Sequence, residues 1–527
     1  MGAISVKKIN WMNVFAIVGL TLLSACSSST GPVSTTVSTA AQLFSLQPTQ
    51  DRATLQQTAQ GYLATLLADP ANAEVTFIKM DPAVVSKQMQ VLAVTLPDGK
   101  TAQFHLREYN TITPGIEGWV GYKPSAWKQT HASSASEIDS DPFFYLSLAR
   151  SGENIVGSVV VEGQTYRVQT LSPGQYVLIK IDESKLPPDG APVQSAKVVA
   201  SDLPTATTSH AASSVIRLLF VTTNQVRAQR PLNRLELAIA LNDANSLMAS
   251  SGVAIRFELA GIYDADYNQP SDYWQQAVDL MSNQQVMQQR DALRADMVSI
   301  YSTNPGLCGQ ARLTAKKSDA FSIISCPSAL GHELGHNLGA MHHHSEPANV
   351  PDYAYGYKDE VGKFHTQMTT PFGAVHYFSN PRLSYQGRPL GDVDLSDVAR
   401  RFNERRETVA AFYPDPQPKL ILTLRGQNRS CTIDLSLGAN VQLSWYLQCK
   451  DPQPFNPESA VVSGLYGANT QRKLCFANTL YTTNSCYSGF HNGSEFTIKN
   501  IHQGTGRPNT LEFSRRLMGA VTRITYD

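Results

Sequence analysis

The segment His332-Glu333-Leu334-Gly335-His336-Asn337-Leu338-Gly339-Ala340-Met341-His342 constrains this chain more than any other feature. It has the spacing H-E-x-x-H-x-x-G-x-x-H. Two His at i and i+4 share one face of a helix, so both imidazoles can reach one metal ion at about 2.0–2.1 Å. Glu333 lies beside them, placed to take a proton from a water activated at that ion. Gly339 can adopt the left-handed conformation that ends a helix, turning the chain back to present His342 as a third ligand. Three protein ligands leave a fourth position open, which marks a catalytic rather than a structural site. Leu330, Leu334 and Leu338 form a stripe on the opposite side, so the pattern predicts a helix backed by a core with its ligands facing a cleft. Pro327-Ser328 supplies a helix start.

At 527 residues the chain has room for about three domains. Its 43 basic and 43 acidic residues balance, which argues against a nucleic-acid partner and against a solvating acidic tail.

The N-terminus reads as a targeting signal. Lys7 and Lys8 precede an apolar run from Trp11 to Leu23 that is short for a membrane span. The following Leu23-Ser24-Ala25-Cys26 resembles a bacterial lipobox. The expectation is a signal peptide over 1–25, lipidation at Cys26, and a Ser/Thr-rich tether over 26–45. Ser27 after the lipidated Cys suggests sorting to the outer membrane, by resemblance to enterobacterial lipoproteins. Six Cys remain: Cys308, Cys326, Cys431, Cys449, Cys475 and Cys486. An even count in an exported chain reads as disulfides, and no CxxC favours a second metal site. Cys308 and Cys326 bracket a hairpin-like segment leading into the motif helix, and the expectation is that they pair. The last four would pair among themselves in one of three ways.

Residues 46–205 read as an N-terminal α+β or β region: a helix over Gln57 to Leu67, then β-hairpins around Pro97-Asp98-Gly99 and Glu162-Gly163. Leu186 to about His210, opening Leu186-Pro187-Pro188-Asp189-Gly190, reads as a linker. Residues 206–416 carry an α/β pattern. It comprises strands at Ser214–Thr222, Val253–Leu259, Met297–Tyr301 and Ser322–Ile324, an amphipathic helix over Leu235–Met248, a helix over Asp272–Met287 and a last helix capped by Ser396. Residues 417–527 return to β patterning and, with four Cys, suggest a disulfide-stapled β domain.

Over residues 213–414 this order of elements, with Cys308-Gly309, Cys326 before the motif and Phe378-Ser379-Asn380-Pro381 after it, resembles the bacterial reprolysin-like (adamalysin-type) metzincins. The resemblance implies a metzincin α/β catalytic domain, a twisted mixed sheet with a zinc helix. It implies Zn²⁺ held by His332, His336 and His342, and Glu333 as general base. Phe364 to Thr370 matches the Met-turn, so Met368 would underlie the ligands as a packing floor. The segment Gly309, Gln310, Ala311, Arg312 and Leu313 would be the edge that pairs with extended substrate. Many family members carry Asp after the third His, where this chain has His343 and His344. Thr370 stands where some metzincins carry a Tyr. Residues 46–205 resemble reprolysin pro-regions, around Asp141-Pro142 to Gly157 and Tyr166, but hold no Cys. A thiolate latch from this region is therefore excluded, leaving a carboxylate, a backbone group or steric cover.

The function expected is a monomeric zinc endopeptidase acting on protein or peptide substrates, held at the bacterial envelope by its lipid anchor. Two alternatives differ in kind. One is a surface binding protein or adhesin working through its C-terminal domain. The other is a hydrolase of peptidoglycan peptides.

Overall fold

The computed structural model describes residues 40–131, 135–194, 213–346, 348–370 and 372–413, together with the backbone of seven strands between 421 and 526. Cys26, the targeting segment and Cys449 lie outside the described residues.

Strands between Ala41 and Ile181 form one ten-stranded sheet in which most sequence neighbours pair as hairpins. The two expected turns are present. Gly99 closes one at φ 84°, and Glu162-Gly163, at φ 51° and 80°, closes the other. The helix expected over Gln57–Leu67 is instead two, Arg52–Thr58 and Gly61–Ala68. The Asp51 side chain caps the first by accepting from Thr54 N at 3.0 Å, and Gly61 at φ 59° breaks the path between them.

A second, six-stranded sheet runs in the order Val193–Gln194, Gly309–Leu313, Phe321–Ile324, Met297–Tyr301, Ser214–Thr222, Ile255–Asp264. It is mixed: Gly309–Leu313 runs antiparallel to Phe321–Ile324, while the inner strands are parallel. Helix Asn233–Ser250, the motif helix Leu330–Asn337 and the last helix Val398–Ala410 pack on one core with the sheet's inner face. The expected helix over Asp272–Met287 is divided into Gln275–Ser282 and Gln284–Leu293. The Asn283 side chain caps the second through Gln285 N and Val286 N, ending the first. The last helix is capped by Asp397, which accepts from Arg400 N, and not by Ser396, whose hydroxyl donates to Gly356 O.

Helix Asn233–Ser250 is not amphipathic in place: it is buried on nearly all sides. Its outer face meets the N-terminal sheet, where Leu235 and Ile239 pack with Ala149 and Val156. Polar ties flank that contact. Tyr145 Oη donates to Asp243 at 2.8 Å, Tyr62 Oη to Glu236 at 3.2 Å, and Asn110 Nδ2 to Asn242 at 2.8 Å.

The seven C-terminal strands form one sheet, with Cys475 directly opposite Cys486 on adjacent antiparallel strands.

Candidate active site

The motif folds as its spacing requires. Helix Leu330–Asn337, led by a 3₁₀ turn at Pro327–Ala329, carries His332, Glu333 and His336. Leu330, Leu334 and Leu338 are fully buried in the core behind it. Gly339 lies at φ 95°, and its turn brings His342 back. A side chain there would also collide with Arg401 and Thr314, so glycine answers two demands at once.

The three imidazoles converge through Nε2. His336 Nε2 lies 3.1 Å and His332 Nε2 3.2 Å from His342 Nε2. Around a tetrahedral ion with bonds of about 2.0–2.1 Å, ligand atoms stand roughly 3.3 Å apart, so this spacing suits a single ion. Each opposite nitrogen is committed elsewhere. His332 Nδ1 donates to Gln367 O at 2.6 Å, His336 Nδ1 to Ala340 O at 2.8 Å and His342 Nδ1 to Glu346 Oε2 at 2.9 Å. These contacts fix tautomer and ring orientation and leave three Nε2 lone pairs facing one another. A cation between them satisfies that arrangement.

A fourth donor completes the set. Asp189 Oδ2 lies 2.9 Å from His332 Nε2 and 3.0 Å from His342 Nε2. Four ligand atoms, from Asp189, His332, His336 and His342, fall within 4.8 Å of one another. By its composition Asp189 belongs to the linker expected from Leu186 to about His210. The structure corrects that reading for Pro187–Gln194, which crosses the site and pairs with the edge strand. The cleft expected in front of the ligands is covered: His332, Glu333 and His336 are fully buried. The absence of Cys in the N-terminal region was the available sign, because it left a carboxylate among the candidates.

Electrostatics follow from burial and proximity. Burial, then its histidine neighbours, drives His336 well below the ordinary imidazole range. Burial also pulls on His342, but Asp189 and Glu346 together outweigh it and hold that ring above its ordinary value. Burial opposes ionisation of Asp189, yet the surrounding His332, His342 and His336 hold its carboxyl well below the usual range. Burial, and then the negative charge of Asp189, pushes Glu333 far above the carboxylate range. Both Glu333 oxygens are buried with no hydrogen-bond partner among the described residues.

The remaining expected positions sort clearly. Met368 is fully buried beneath the helix, and a Cβ on Gly335 would meet its sulfur at 2.5 Å. The segment Gly309–Leu313 is an outer strand, but its free side is taken by Val193–Gln194. Cys308 and Cys326 are disulfide-bonded, with Cα atoms 4.9 Å apart. His343 and His344 stand outside the converging set. His343 lies 3.4 Å from Glu346, and His344 pairs with Leu395 O while stacking on Tyr355.

Comparison with known proteins agrees with this geometry. Residues 235–343 match the reprolysin-like metallopeptidase family M12B. A peptidyl-Asp metalloendopeptidase of Xanthomonas campestris pv. campestris is 28% identical over 382 residues, covering 67% of this chain and 89% of that protein. One from Stenotrophomonas maltophilia is 27% identical over 376 residues, covering 66% and 89%. A solved structure, metalloproteinase-II from Bacteroides fragilis, aligns with a TM-score of 0.33 at 9% identity over 55% of this chain and 87% of its own, a likeness too slight to argue from. The matched span holds the edge strand, the motif helix and all three histidines, so this part of the chain is similar to the reprolysin-like metallopeptidases, and the chain is a metalloendopeptidase.

Proposed function

We propose that the chain is a zinc endopeptidase that cuts protein chains beside aspartate and is held at a bacterial envelope through lipidated Cys26. The observation that carries the catalytic part is the convergence of three Nε2 atoms whose Nδ1 partners are already committed. Three neutral imidazoles and one oxygen are a donor set that suits zinc. Held by His332, His336 and His342, zinc would polarise a substrate carbonyl and lower the pKa of a water toward about 7. Glu333 would supply the base: relieved of the cover of Pro187–Gln194 and of the Asp189 charge that keep it protonated, its carboxylate would take the water's proton and return it to the leaving amine. The edge strand Gly309–Leu313 aligns the substrate backbone by strand pairing once Val193–Gln194 has left it. The preference for aspartate comes from the two relatives named peptidyl-Asp metalloendopeptidase. The envelope anchor rests on Leu23-Ser24-Ala25-Cys26.

A proteome-derived peptide library digested by the full chain tests this reading. Three forms are compared: wild type, Asp189→Ala, and Asp189→Ala with Glu333→Gln. Cleavage beside aspartate by the second form, lost in the third with zinc retained, is expected. No cleavage by either of the first two, or undiminished cleavage by the third, overturns it.

A further inference from the structure

We propose that Pro187–Gln194 is a built-in inhibitor, with the Asp189 carboxylate occupying the metal's fourth position and Val193–Gln194 occupying the substrate edge, so that the intact chain is latent. The proposal rests on the metalloendopeptidase reading and adds the regulation of that site.

Four observations support it independently. The first is position: Asp189 Oδ2 stands 2.9 and 3.0 Å from two of the three Nε2 atoms, where a water must sit for hydrolysis. Its other oxygen, Oδ1, is buried without a hydrogen-bond partner among the described residues, so the carboxylate's charge is answered by the metal centre and little else.

The second is a run of specific contacts along the edge. Cys308 N donates to Pro188 O at 2.9 Å, and Gly190 N donates to Gly309 O at 2.9 Å. Gln310 Nε2 donates to Ala191 O at 2.9 Å, and Arg312 Nη1 to Gln194 O at 3.2 Å. Val193 and Gln194 pair in parallel with Arg312 and Leu313. An extended substrate needs the same edge, so the two exclude each other.

The third is the absence of a scissile group. What faces the metal centre is a side-chain carboxylate, while the carbonyls of Pro188, Ala191 and Gln194 accept from Cys308, Gln310 and Arg312. The strap occupies the site without presenting those peptide bonds for attack.

The fourth is fit. A Cβ on Gly190 would come within 2.8 Å of Leu307 Cδ1 and 2.9 Å of Gly309 O, so only glycine lets the backbone lie this close. Pro187 and Pro188 before Asp189 restrict the chain to extended conformations. Upstream, Leu186 packs against both the catalytic core and the helical corner of the N-terminal region. A carboxylate binds zinc less avidly than a thiolate, but one tethered in this way acts at a high effective concentration.

The test uses the full, uncut chain with three residues at position 189. Asp189→Ala should raise peptide hydrolysis by about a hundredfold or more, the scale of an intramolecular advantage. Cobalt-substituted Asp189→Ala should show an altered visible d–d spectrum against cobalt-substituted wild type, because an oxygen ligand is lost. Asp189→Cys should stay latent and give a near-ultraviolet sulfur-to-cobalt charge-transfer band, which appears only if position 189 touches the metal. Identical cobalt spectra for wild type and Asp189→Ala, with no charge-transfer band for Asp189→Cys, overturn the strap. So does measurable wild-type hydrolysis equal to that of Asp189→Ala. Both spectral changes without hydrolysis by any form would uphold the strap as a metal ligand and overturn the peptidase reading instead.

Discussion

Gly309 faces Glu333 so closely that even the smallest side chain at this point of the edge strand would overlap it: a Cβ on Gly309 would lie 2.1 Å from Glu333 Oε1. The expected result of Gly309→Ala is therefore a chemical defect with metal intact, since no histidine is disturbed. Measured in the Asp189→Ala background, kcat/KM should fall by about a hundredfold or more, the lower end of what a positioned general base contributes. Metal content by atomic absorption should match the parent. Parental kcat/KM would show that the space above Glu333 is not needed.

The floor under the motif helix makes a second expectation. Met368→Ala empties the space against Gly335 and Phe402, and such a cavity costs about 2–5 kcal/mol. Gly335→Ala drives a methyl into the Met368 sulfur and to 3.1 Å from the Phe402 ring, an overpacking of about 1–3 kcal/mol. The two changes compensate in space, so denaturant unfolding of the double variant should show less loss than the sum of the singles. Strict additivity would place the two residues out of contact.

The Cys308–Cys326 bond closes a loop with a separation of 18 residues. Opening it with Cys308→Ser and Cys326→Ser should cost about 3 kcal/mol in the chain-entropy view. Neither Cys is among the converging ligands, so metal should remain bound in the folded variant. Loss of metal before unfolding, followed by titration with a chelator, would give the bond a larger role.

Acid should loosen the junction of the two sheets through His376. This ring stacks on Tyr145 with centroids 4.0 Å apart, and its Nε2 is buried without a partner among the described residues. Burial lowers it from 6.5 to about 3. The unfolded chain therefore takes the proton first, so the stability that neutral His376 supports is complete above its ordinary value and is lost as pH falls toward 3. Asp243, which accepts from Tyr145, is pushed up to about 6 by burial and acts in the opposite sense, favouring the folded chain as pH falls through that range. His376→Phe separates the two. Between pH 7.5 and 5 the wild type should lose about 2 kcal/mol more unfolding free energy than the variant. Parallel pH profiles would remove His376 as the cause.

Much of the site is legible in the chain because its rules are local. Helical geometry puts His332 and His336 on one face and Leu330, Leu334 and Leu338 on the other. Gly339 needs only its own φ to turn the chain toward His342. Met297–Tyr301 and Ser214–Thr222 appear where apolar runs predict them. Helix boundaries failed where one polar side chain decided them, as at Asn283 and Asp397, whose capping bonds outweigh the apolar periodicity around them.

Tertiary structure alone decided what lies across the site and what covers helix Asn233–Ser250. Sequence pattern reports one face of an element and says nothing of a second layer, so a helix that reads as half-exposed is buried when another sheet closes over Leu235 and Ile239. Asp189 sits in a Pro- and Gly-containing stretch whose composition signals no role. Its approach to His332 and His342 depends on nonlocal pairing of Val193–Gln194 with Arg312–Leu313, and on a glycine at 190 that permits contact with Gly309. Ligand spacing within one helix follows from the backbone's own repeat, whereas a ligand brought from another part of the chain depends on how two surfaces fit.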